Sequence, residues 1–195
     1  MGVSNTRVIA GERLIRYLPD QMEPSERLIL RKPTLDDAEE FFANSGRHAT
    51  VARHLDWQPH TSVGESRNFL RICLDDWDQE IAFSYVIAQK DAPQHVAGMV
   101  QLIPEGHSLG MILWISQPDW RHGYAIEVTR WLGKWAPARP EVWRIYTACP
   151  VENVAAVTAM QKVGWTTEGV LRRLRVFLNA SSDPLDCVIF SRTSD

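Results

Sequence analysis

The order of the apolar segments along the chain constrains its fold more than any other feature of the sequence. Segments rich in β-branched and aromatic residues are typical of strands, and apolar residues at helical spacing are typical of helices. The predicted strands cover residues 27–32, 81–89, 96–103, 109–116, 142–149, 174–178 and 186–191, and predicted helices begin near 34, 64, 123 and 153. Strands and helices do not alternate regularly, so the sequence predicts an α+β fold rather than a repeated βαβ unit.

The chain has the length of one domain. Its 195 residues can bury a core without the help of metals or disulfides. Residues 1–25 carry mixed charge, with Gly11 followed by two prolines, Pro19 and Pro24, ahead of the first strand. We therefore predict an N-terminal extension over residues 1–25 and a single domain over residues 26–195.

The net charge and the cysteine content narrow the kinds of partner and the cellular compartment that we expect. The net charge is -3, so no overall positive field favours nucleic acid. No apolar run approaches the roughly 18 residues that span a bilayer, and the first residues lack the apolar stretch of a signal peptide. Cys73, Cys149 and Cys187 are far apart in apolar surroundings, which is typical of reduced, buried thiols. We expect a cytoplasmic protein that binds neither nucleic acid nor membrane.

Several sequence motifs that would indicate a particular chemistry are missing. The sequence has neither a G-x-G-x-x-G segment after a strand nor a G-x-x-x-x-G-K-[ST] loop. It has no H-E-x-x-H or C-x-x-C pair, so no metal site is expected. It also has no G-x-S-x-G elbow, which argues against a simple serine hydrolase.

The most informative segment is 112–135, where a predicted strand turns into a predicted helix at Gly123. The first N–H groups of a helix have no backbone partner, and together with the helix dipole they form a site for phosphate. Gly123 would let the backbone approach a pyrophosphate, and Arg121 and His122 add positive charge beside it. The same pattern also fits an ordinary strand–turn–helix with a glycine at its corner, so this segment alone leaves both interpretations open.

Four sequence blocks give the chain its resemblance to a known family. They are WRHGYA (120–125), WRIYTACPVEN (143–153), KVGWTTEGVLRR (162–173) and DWQPHTS (56–62). The first is similar to the W-G-x-G-Y-A form of the GNAT coenzyme signature, and the other three agree with the family in order and spacing. Residues 26–192 therefore resemble a GNAT-superfamily N-acetyltransferase of the RimJ/RimL-like branch, which contains the ribosomal-protein N-terminal acetyltransferases.

This resemblance implies a fold and a co-substrate. The fold would be a twisted, mixed and mostly antiparallel sheet with helices on both faces, in which strands 109–116 and 142–149 splay apart. Acetyl-CoA would bind in that cleft without a metal, its phosphates held by backbone dipoles, and strand N–H groups would stabilise the oxyanion. The coenzyme-binding residues implied by the resemblance are Trp114, Ile115, Ser116, Trp120, Arg121, His122, Gly123, Tyr124, Ala125 and Asn153.

Two positions depart from the family pattern. Where many relatives place a glutamate base this chain has Gly110, and where they often place a serine that protonates the thiolate it has Ala156. Glu105 and His107 are the candidate replacements for the base, although His107 also fits a solvated turn histidine. An amine is mostly protonated at neutral pH, so some base is required.

The acceptor side is less defined by the sequence. Trp57, His60 and Asp186 are the candidate substrate-binding residues, with His60 and Asp186 also able to act as base through water; each also fits a structural role in a loop or turn. The resemblance implies an N-acetyltransferase whose acceptor is a protein N-terminus or a small-molecule amine. Gly110 and Ala156 favour an alternative, a catalytically degenerate acyl-CoA-binding protein. A homodimer is left open.

Overall fold

The computed structural model describes Ile15 and residues 17–194 of the chain. The strands are β1 (Gln21–Met22), β2 (Leu28–Arg31), β3 (Phe83–Gln89), β4 (Gly98–Glu105), β5 (Ser108–Ile115), β6 (Arg144–Pro150), β7 (Thr166–Arg175) and β8 (Leu185–Thr193). The helices are α1 (Ala38–Phe41), continued by a π-helical turn, α2 (Ala49–Ala52), α3 (Val63–Asp78), α4 (Tyr124–Trp135) and α5 (Val154–Lys162).

All eight strands form one sheet in the order β1-β2-β3-β4-β5-β6-β8-β7. The β5–β6 pair is parallel and the others are antiparallel, which confirms the predicted α+β fold with a mixed, mostly antiparallel sheet. The parallel pair follows from the connection between its strands, because α4 carries the chain back across one face of the sheet.

The sheet has a hydrophobic core on each face. Alternate residues of a strand point to opposite faces, and so Leu28 and Leu30 pack with α4 and α5 while Ile29 packs with α1 and α3. Tyr124, Val128 and Leu132 are the residues of α4 that are buried in the first core, and Phe41 is a buried aromatic of the second. Helices therefore cover both faces, as the family resemblance implied.

The described part of the predicted N-terminal extension packs against the sheet. Ile15 and Leu18 are fully buried in the first core, and the Tyr85 hydroxyl donates to the Pro19 carbonyl at 2.9 Å. Strand β1 then pairs with β2. The division of the chain at residue 25 stays a prediction, but its described residues contribute to the same core as the domain.

Two stretches differ from the sequence prediction. The predicted strand at 174–178 is wrong in its bounds, because β7 begins at Thr166 and ends at Arg175. Every residue of β7 is exposed, so the strand shows no alternation of apolar and polar residues that a sequence pattern could detect. No strand and no helix start was predicted within residues 44–62, yet this segment contains the short helix α2.

Candidate active site

A cleft opens where β5 and β6 separate. The two strands pair only from Ser108 to Gly110 and from Arg144 to Tyr146, and beyond those residues no ladder joins them. A cavity of about 930 Å³ occupies the gap. Its lining comes from both faces of the sheet: from α4 and α5 on one face, and from α2, the loop after it and the chain around the end of β7 on the other. The cleft therefore passes through the sheet between the two strands.

The corner before α4 has the geometry of an anion site. Gly123 precedes the helix with φ at 83°, a left-handed conformation that glycine adopts without steric cost. The first helical hydrogen bond runs from the Glu127 amide to the Gly123 carbonyl at 3.1 Å, which leaves the preceding amides at the helix start without helical partners. These amides and the helix dipole favour a negatively charged group at the cavity wall.

Arg27, just before β2, stabilises this corner from outside the cavity. Its Nη2 donates to the His122 carbonyl at 2.7 Å, and its Nε donates to the Glu127 carboxylate at 3.0 Å. Its guanidinium also lies 4.8 Å from the centre of the Tyr124 ring. The hydrogen bond with Arg27 is the main reason that the pKa of Glu127 lies below its ordinary value. The corner is thus held in shape by residues that do not line the cavity.

The structure separates the ten predicted coenzyme-binding residues into two groups. Eight line the cavity, and these are Trp114, Ile115, Trp120, Arg121, Gly123, Tyr124, Ala125 and Asn153. The other two, Ser116 and His122, do not. Ser116 is fully buried, and its hydroxyl donates to the Val96 carbonyl at 2.6 Å. Ser116 therefore stabilises the chain at the end of β5. The His122 carbonyl accepts the hydrogen bond from Arg27.

Trp120 also has a role in shaping the cleft. Its indole Nε1 donates to the Ile115 carbonyl at 2.8 Å, which ties the turn back to the last residue of β5. A tryptophan at this position of the motif therefore fixes the strand end at the same time as it lines the cavity.

His95 lies behind the same turn, between two carboxylates. Its Nε2 is 2.9 Å from Asp119 Oδ2 and its Nδ1 is 3.1 Å from Glu40 Oε2. Burial alone would lower the pKa of His95, but the hydrogen bonds and charges of Asp119 and Glu40 outweigh it and raise the pKa. The imidazole therefore joins α1 to the turn that follows β5, and its positively charged form is favoured there.

We expect His95→Asn to destabilise the protein by about 1 kcal/mol in mildly acidic solution, through the loss of charge-assisted hydrogen bonds. Because the folded-state pKa is raised, this contribution is complete below the ordinary imidazole pKa of about 6.5 and is lost as the pH rises through the folded value. Urea unfolding at pH 5.5 and pH 8.5 measures the difference. His48→Asn is the control, since His48 meets only the Ala43 carbonyl at 2.8 Å. Equal destabilisation of the His95 variant at both pH values would contradict this account.

At the other end of the cavity, the structure brings together residues that the sequence analysis did not single out. His54 follows α2, and its Nε2 lies 3.0 Å from Glu152 Oε1. Arg53 Nη2 lies 3.5 Å from the same oxygen. The His54 ring packs edge-on against Phe177, with the ring centres 6.1 Å apart. The only signal in the sequence was the density of His and Trp in segment 44–62, and their pairing partners are about a hundred residues away.

The two predicted base candidates lie outside the cavity lining. Glu105 accepts a hydrogen bond from the Tyr146 hydroxyl at 2.6 Å, and burial followed by this carboxylate raises the pKa of Tyr146 to about 12. The His107 ring stacks on Trp143 with the ring centres 3.6 Å apart, and its Nδ1 meets the Glu141 carbonyl. Both therefore sit at the β4–β5 turn, and their catalytic role stays a prediction.

The predicted acceptor residues are divided between two places. Trp57 and His60 line a second cavity of about 590 Å³ beside α3, where His60 Nδ1 lies 2.8 Å from the Ser66 hydroxyl. Burial lowers the pKa of His60. Trp57 also packs against Trp114, with the ring centres 6.2 Å apart, so this cavity adjoins the cleft. Asp186 instead accepts a hydrogen bond from the Arg173 amide at 2.8 Å, within the β7–β8 hairpin.

In the part of the chain that the structure describes, neither a reactive cysteine in the cleft nor a metal site is found. Cys149 lines the cleft, but burial raises the pKa of its thiol to about 11, so it is not a thiolate nucleophile at neutral pH. Among the described residues, no group of three or more His, Cys, Asp or Glu side chains is placed to hold a metal ion. In the same part of the chain, no helix combines the length and apolar character needed to cross a membrane.

Comparisons with known proteins agree with this geometry. A family model described as "Acetyltransferase (GNAT) domain" matches residues 27–166. A search of curated protein sequences finds no match.

Solved structures of low sequence identity share the fold. The microcin C7 self-immunity acetyltransferase MccE, in complex with acetyl-CoA and AMP, is similar with a TM-score of 0.77 and 19% identity over 92% of this chain and 99% of that one. RimL, a ribosomal L7/L12 α-N-protein acetyltransferase in complex with coenzyme A, is similar with a TM-score of 0.76 and 18% identity, over 90% of this chain and 98% of that one. An acetyltransferase from Salmonella typhimurium that modifies the N-terminal serine of 50S ribosomal subunit protein L7/L12 has a TM-score of 0.73 and 18% identity, over 90% of this chain and 99% of that one.

Proposed function

Since this chain belongs to the GNAT acetyltransferase family and is an acetyl-CoA-dependent N-acetyltransferase, we propose that the cleft between β5 and β6 is its active site. The observation that carries this assignment is the separation of two parallel strands directly beside the free N-terminus of α4. Acetyl-CoA would enter along α4 and α5, and the amine would reach the acetyl group from the opposite face of the sheet.

The charges of the cleft fit a phosphate-bearing co-substrate. Four cationic side chains line it (Arg53, Arg121, Lys162 and Arg175) against two carboxylates (Asp56 and Asp119), although the whole chain has a net charge of -3. Asp119 is already held by His95. Arg121 and Lys162 therefore add to the positive potential of the α4 corner, which suits a pyrophosphate.

The backbone of β5 would bind the rest of the co-substrate. Beyond Gly110, the edge of β5 that faces β6 has no strand partner, so N–H and C=O groups along it can pair with an extended pantetheine arm. One such N–H can also stabilise negative charge on the thioester oxygen during acyl transfer. Asn153 would bind the co-substrate and also cap α5, since its Oδ1 accepts a hydrogen bond from the Ala156 amide at 3.2 Å while the residue lines the cleft.

We propose that the acceptor is a primary amine, either a protein N-terminus or a small molecule, and not nucleic acid. The solved structures that share the fold include enzymes named for protein N-terminal acetylation and one in complex with a small molecule, AMP, as well as acetyl-CoA, so the fold accommodates both proteins and small molecules. The acceptor end of the cleft, between α2 and the end of β7, is lined by polar and charged side chains around Phe177, which suits a polar acceptor.

Turnover with a panel of amines tests the proposed function. The protein is incubated with acetyl-CoA and with peptides of different N-terminal residues or small-molecule amines, and release of free CoA is followed. Acceptor-dependent release supports the proposal. Tight binding of acetyl-CoA by calorimetry without turnover on any acceptor would instead favour a non-catalytic acyl-CoA-binding protein, the alternative that Gly110 and Ala156 motivate.

We also propose that two copies associate through β7. This edge strand exposes Val170, Leu171 and Leu174, and Leu178 beyond it is 73% exposed. An exposed apolar edge strand is a template for pairing with a second chain. Sedimentation equilibrium is expected to give twice the chain mass of 22.2 kDa, and Leu171→Glu is expected to give the monomer mass. A wild-type monomer at all concentrations would refute the association.

A further inference from the structure

We infer that His54, oriented by Glu152, is the general base of acetyl transfer. This inference rests on the proposed function, since it assigns a residue to the chemistry of the same cleft. It answers the question raised by Gly110 and Ala156, which leave the family's two proton-transfer positions without an ionisable side chain.

The geometry of the pair is that of a base and its orienting carboxylate. His54 Nε2 lies 3.0 Å from Glu152 Oε1, so in the neutral ring Nε2 carries the proton and donates it to the carboxylate. Nδ1 is then the basic nitrogen, and it makes no hydrogen bond to any residue that the structure describes. The His54 side chain is 16% exposed and lines the cleft. An imidazole with one nitrogen fixed and the other unoccupied is prepared to accept a proton.

The position of the pair in the chain is also suitable. Glu152 directly precedes Asn153, which caps α5 at the side of the cleft assigned to acetyl-CoA. His54 follows α2, on the face of the sheet opposite to α5, and its ring reaches the Glu152 carboxylate from that side, where the acceptor would enter. The hydrogen bond between His54 and Glu152 therefore spans the boundary between the two halves of the cleft, where acyl transfer would take place.

The other candidate bases are engaged elsewhere. The Glu105 carboxylate accepts the Tyr146 hydroxyl, and the His107 ring is stacked on Trp143; neither residue lines the cleft. The His60 Nδ1 meets the Ser66 hydroxyl in the adjoining cavity. Asp186 accepts a backbone amide within a hairpin. Among these histidines and carboxylates, His54 alone lines the large cavity.

Charged groups lie around the pair formed by His54 and Glu152. The hydrogen bond from His54 is the main cause that lowers the pKa of Glu152. Arg53 pairs with the same carboxylate. Beyond Phe177, Arg175 forms an ion pair with Asp56, so its charge is largely neutralised. The Glu152 carboxylate thus lies next to the ring and can stabilise the positive charge that forms when His54 accepts a proton.

The proton and electron balance of the step is simple. The neutral amine nitrogen forms a bond to the acetyl carbonyl carbon, and the carbon–sulfur bond breaks with its electron pair leaving on sulfur. The amine proton moves to Nδ1 of His54, and the positive charge that results is stabilised by Glu152. Solvent protonates the CoA thiolate, because Ala156 offers no donor at the usual position, and His54 returns its proton to solvent. No oxidant, metal or covalent enzyme intermediate is needed.

His54→Gln is the primary test, with an acceptor that the wild type acetylates. The expected result is a fall of about 100-fold in kcat at pH 7, with acetyl-CoA affinity by calorimetry within threefold of the wild type. The acid limb of the kcat/KM profile should move to higher pH, and the deficit should shrink there, because the acceptor loses its own proton without the help of a base. Glu152→Gln is the second variant, on an exposed side chain: kcat should fall about tenfold, and the acid limb should move to lower pH because the ring loses its carboxylate partner.

His48→Gln is the matched control, since His48 lies outside the cleft and should leave kcat and the pH profile unchanged. If the wild type acetylates an acceptor and His54→Gln keeps both its kcat and its acid limb, the inference is overturned while the proposed function stands. If His54→Gln loses its fold, an unchanged acid limb in Glu152→Gln overturns it equally. A wild type that binds acetyl-CoA but acetylates nothing overturns the proposed function, and the inference with it.

Discussion

Replacing Gly123 with valine should raise the dissociation constant for CoA by at least about a hundredfold. Gly123 holds φ at 83°, where a β-branched residue is strongly disfavoured. Among the described residues other than its chain neighbours, the nearest atom to an added Cβ is Arg27 Nη2 at 3.8 Å, so the main effect comes from backbone conformation rather than collision. The corner would change its dihedral angles and turn its amides away. Losing two or three hydrogen bonds to phosphate at about 1.5–3 kcal/mol each accounts for this change in affinity.

Gly164→Val provides a control with the same strain. Gly164 has φ at 76° after α5, nothing lies within 4 Å of its added Cβ, and it does not line the cleft. Both variants should lower the melting temperature by a few degrees, since strain of about 1–2 kcal/mol is introduced in each. Only Gly123→Val should lose CoA binding in calorimetry. Unchanged affinity in Gly123→Val would show that the phosphate site lies elsewhere.

Gly98→Ala should lower the free energy of unfolding by about 3 kcal/mol, which for a chain of this size corresponds to a fall of roughly 6–12 °C in melting temperature. An added Cβ would lie 2.4 Å from the Trp114 carbonyl oxygen and 3.0 Å from Ile115 Cα, both of them backbone atoms that cannot rotate away. Strands β4 and β5 approach closely at this point because residue 98 has no side chain. Differential scanning calorimetry measures the change.

Gly110→Ala, in the same pair of strands, is the control for this effect. The nearest atom to its added Cβ is Ile103 Cβ at 3.6 Å, which is ordinary van der Waals contact. Its unfolding free energy should change by less than about 1 kcal/mol. Equal melting temperatures for the two variants would mean that the approach of β4 to Trp114 is not a stabilising feature of the fold.

The coenzyme end of the cleft was the more predictable part from the sequence. A strand, a glycine corner and an amphipathic helix are local features, so Gly123 and Asn153 could be located from neighbouring residues alone. Strands β2 and β3 were predictable for the same reason, since a short, mostly apolar run bounded by turns is typical of a strand that is buried on both faces.

The acceptor end was less predictable because it is built from distant pairs. The contacts between His54 and Glu152 and between Arg175 and Asp56 each join segments about a hundred residues apart. A single sequence carries no periodicity that relates such positions. The close approach at Gly98 was also hidden, since a glycine in a strand does not reveal which backbone lies beside it.

The separation of β5 from β6 has a consequence for the order of events in catalysis. With the proposed active site in this gap, donor and acceptor would arrive by different routes, because the gap is lined from both faces of the sheet. The acceptor would then bind while acetyl-CoA is still in place, and the two would form a ternary complex before the acyl group moves. The interrupted strand pairing would in this way permit direct transfer without a covalent acyl-enzyme intermediate.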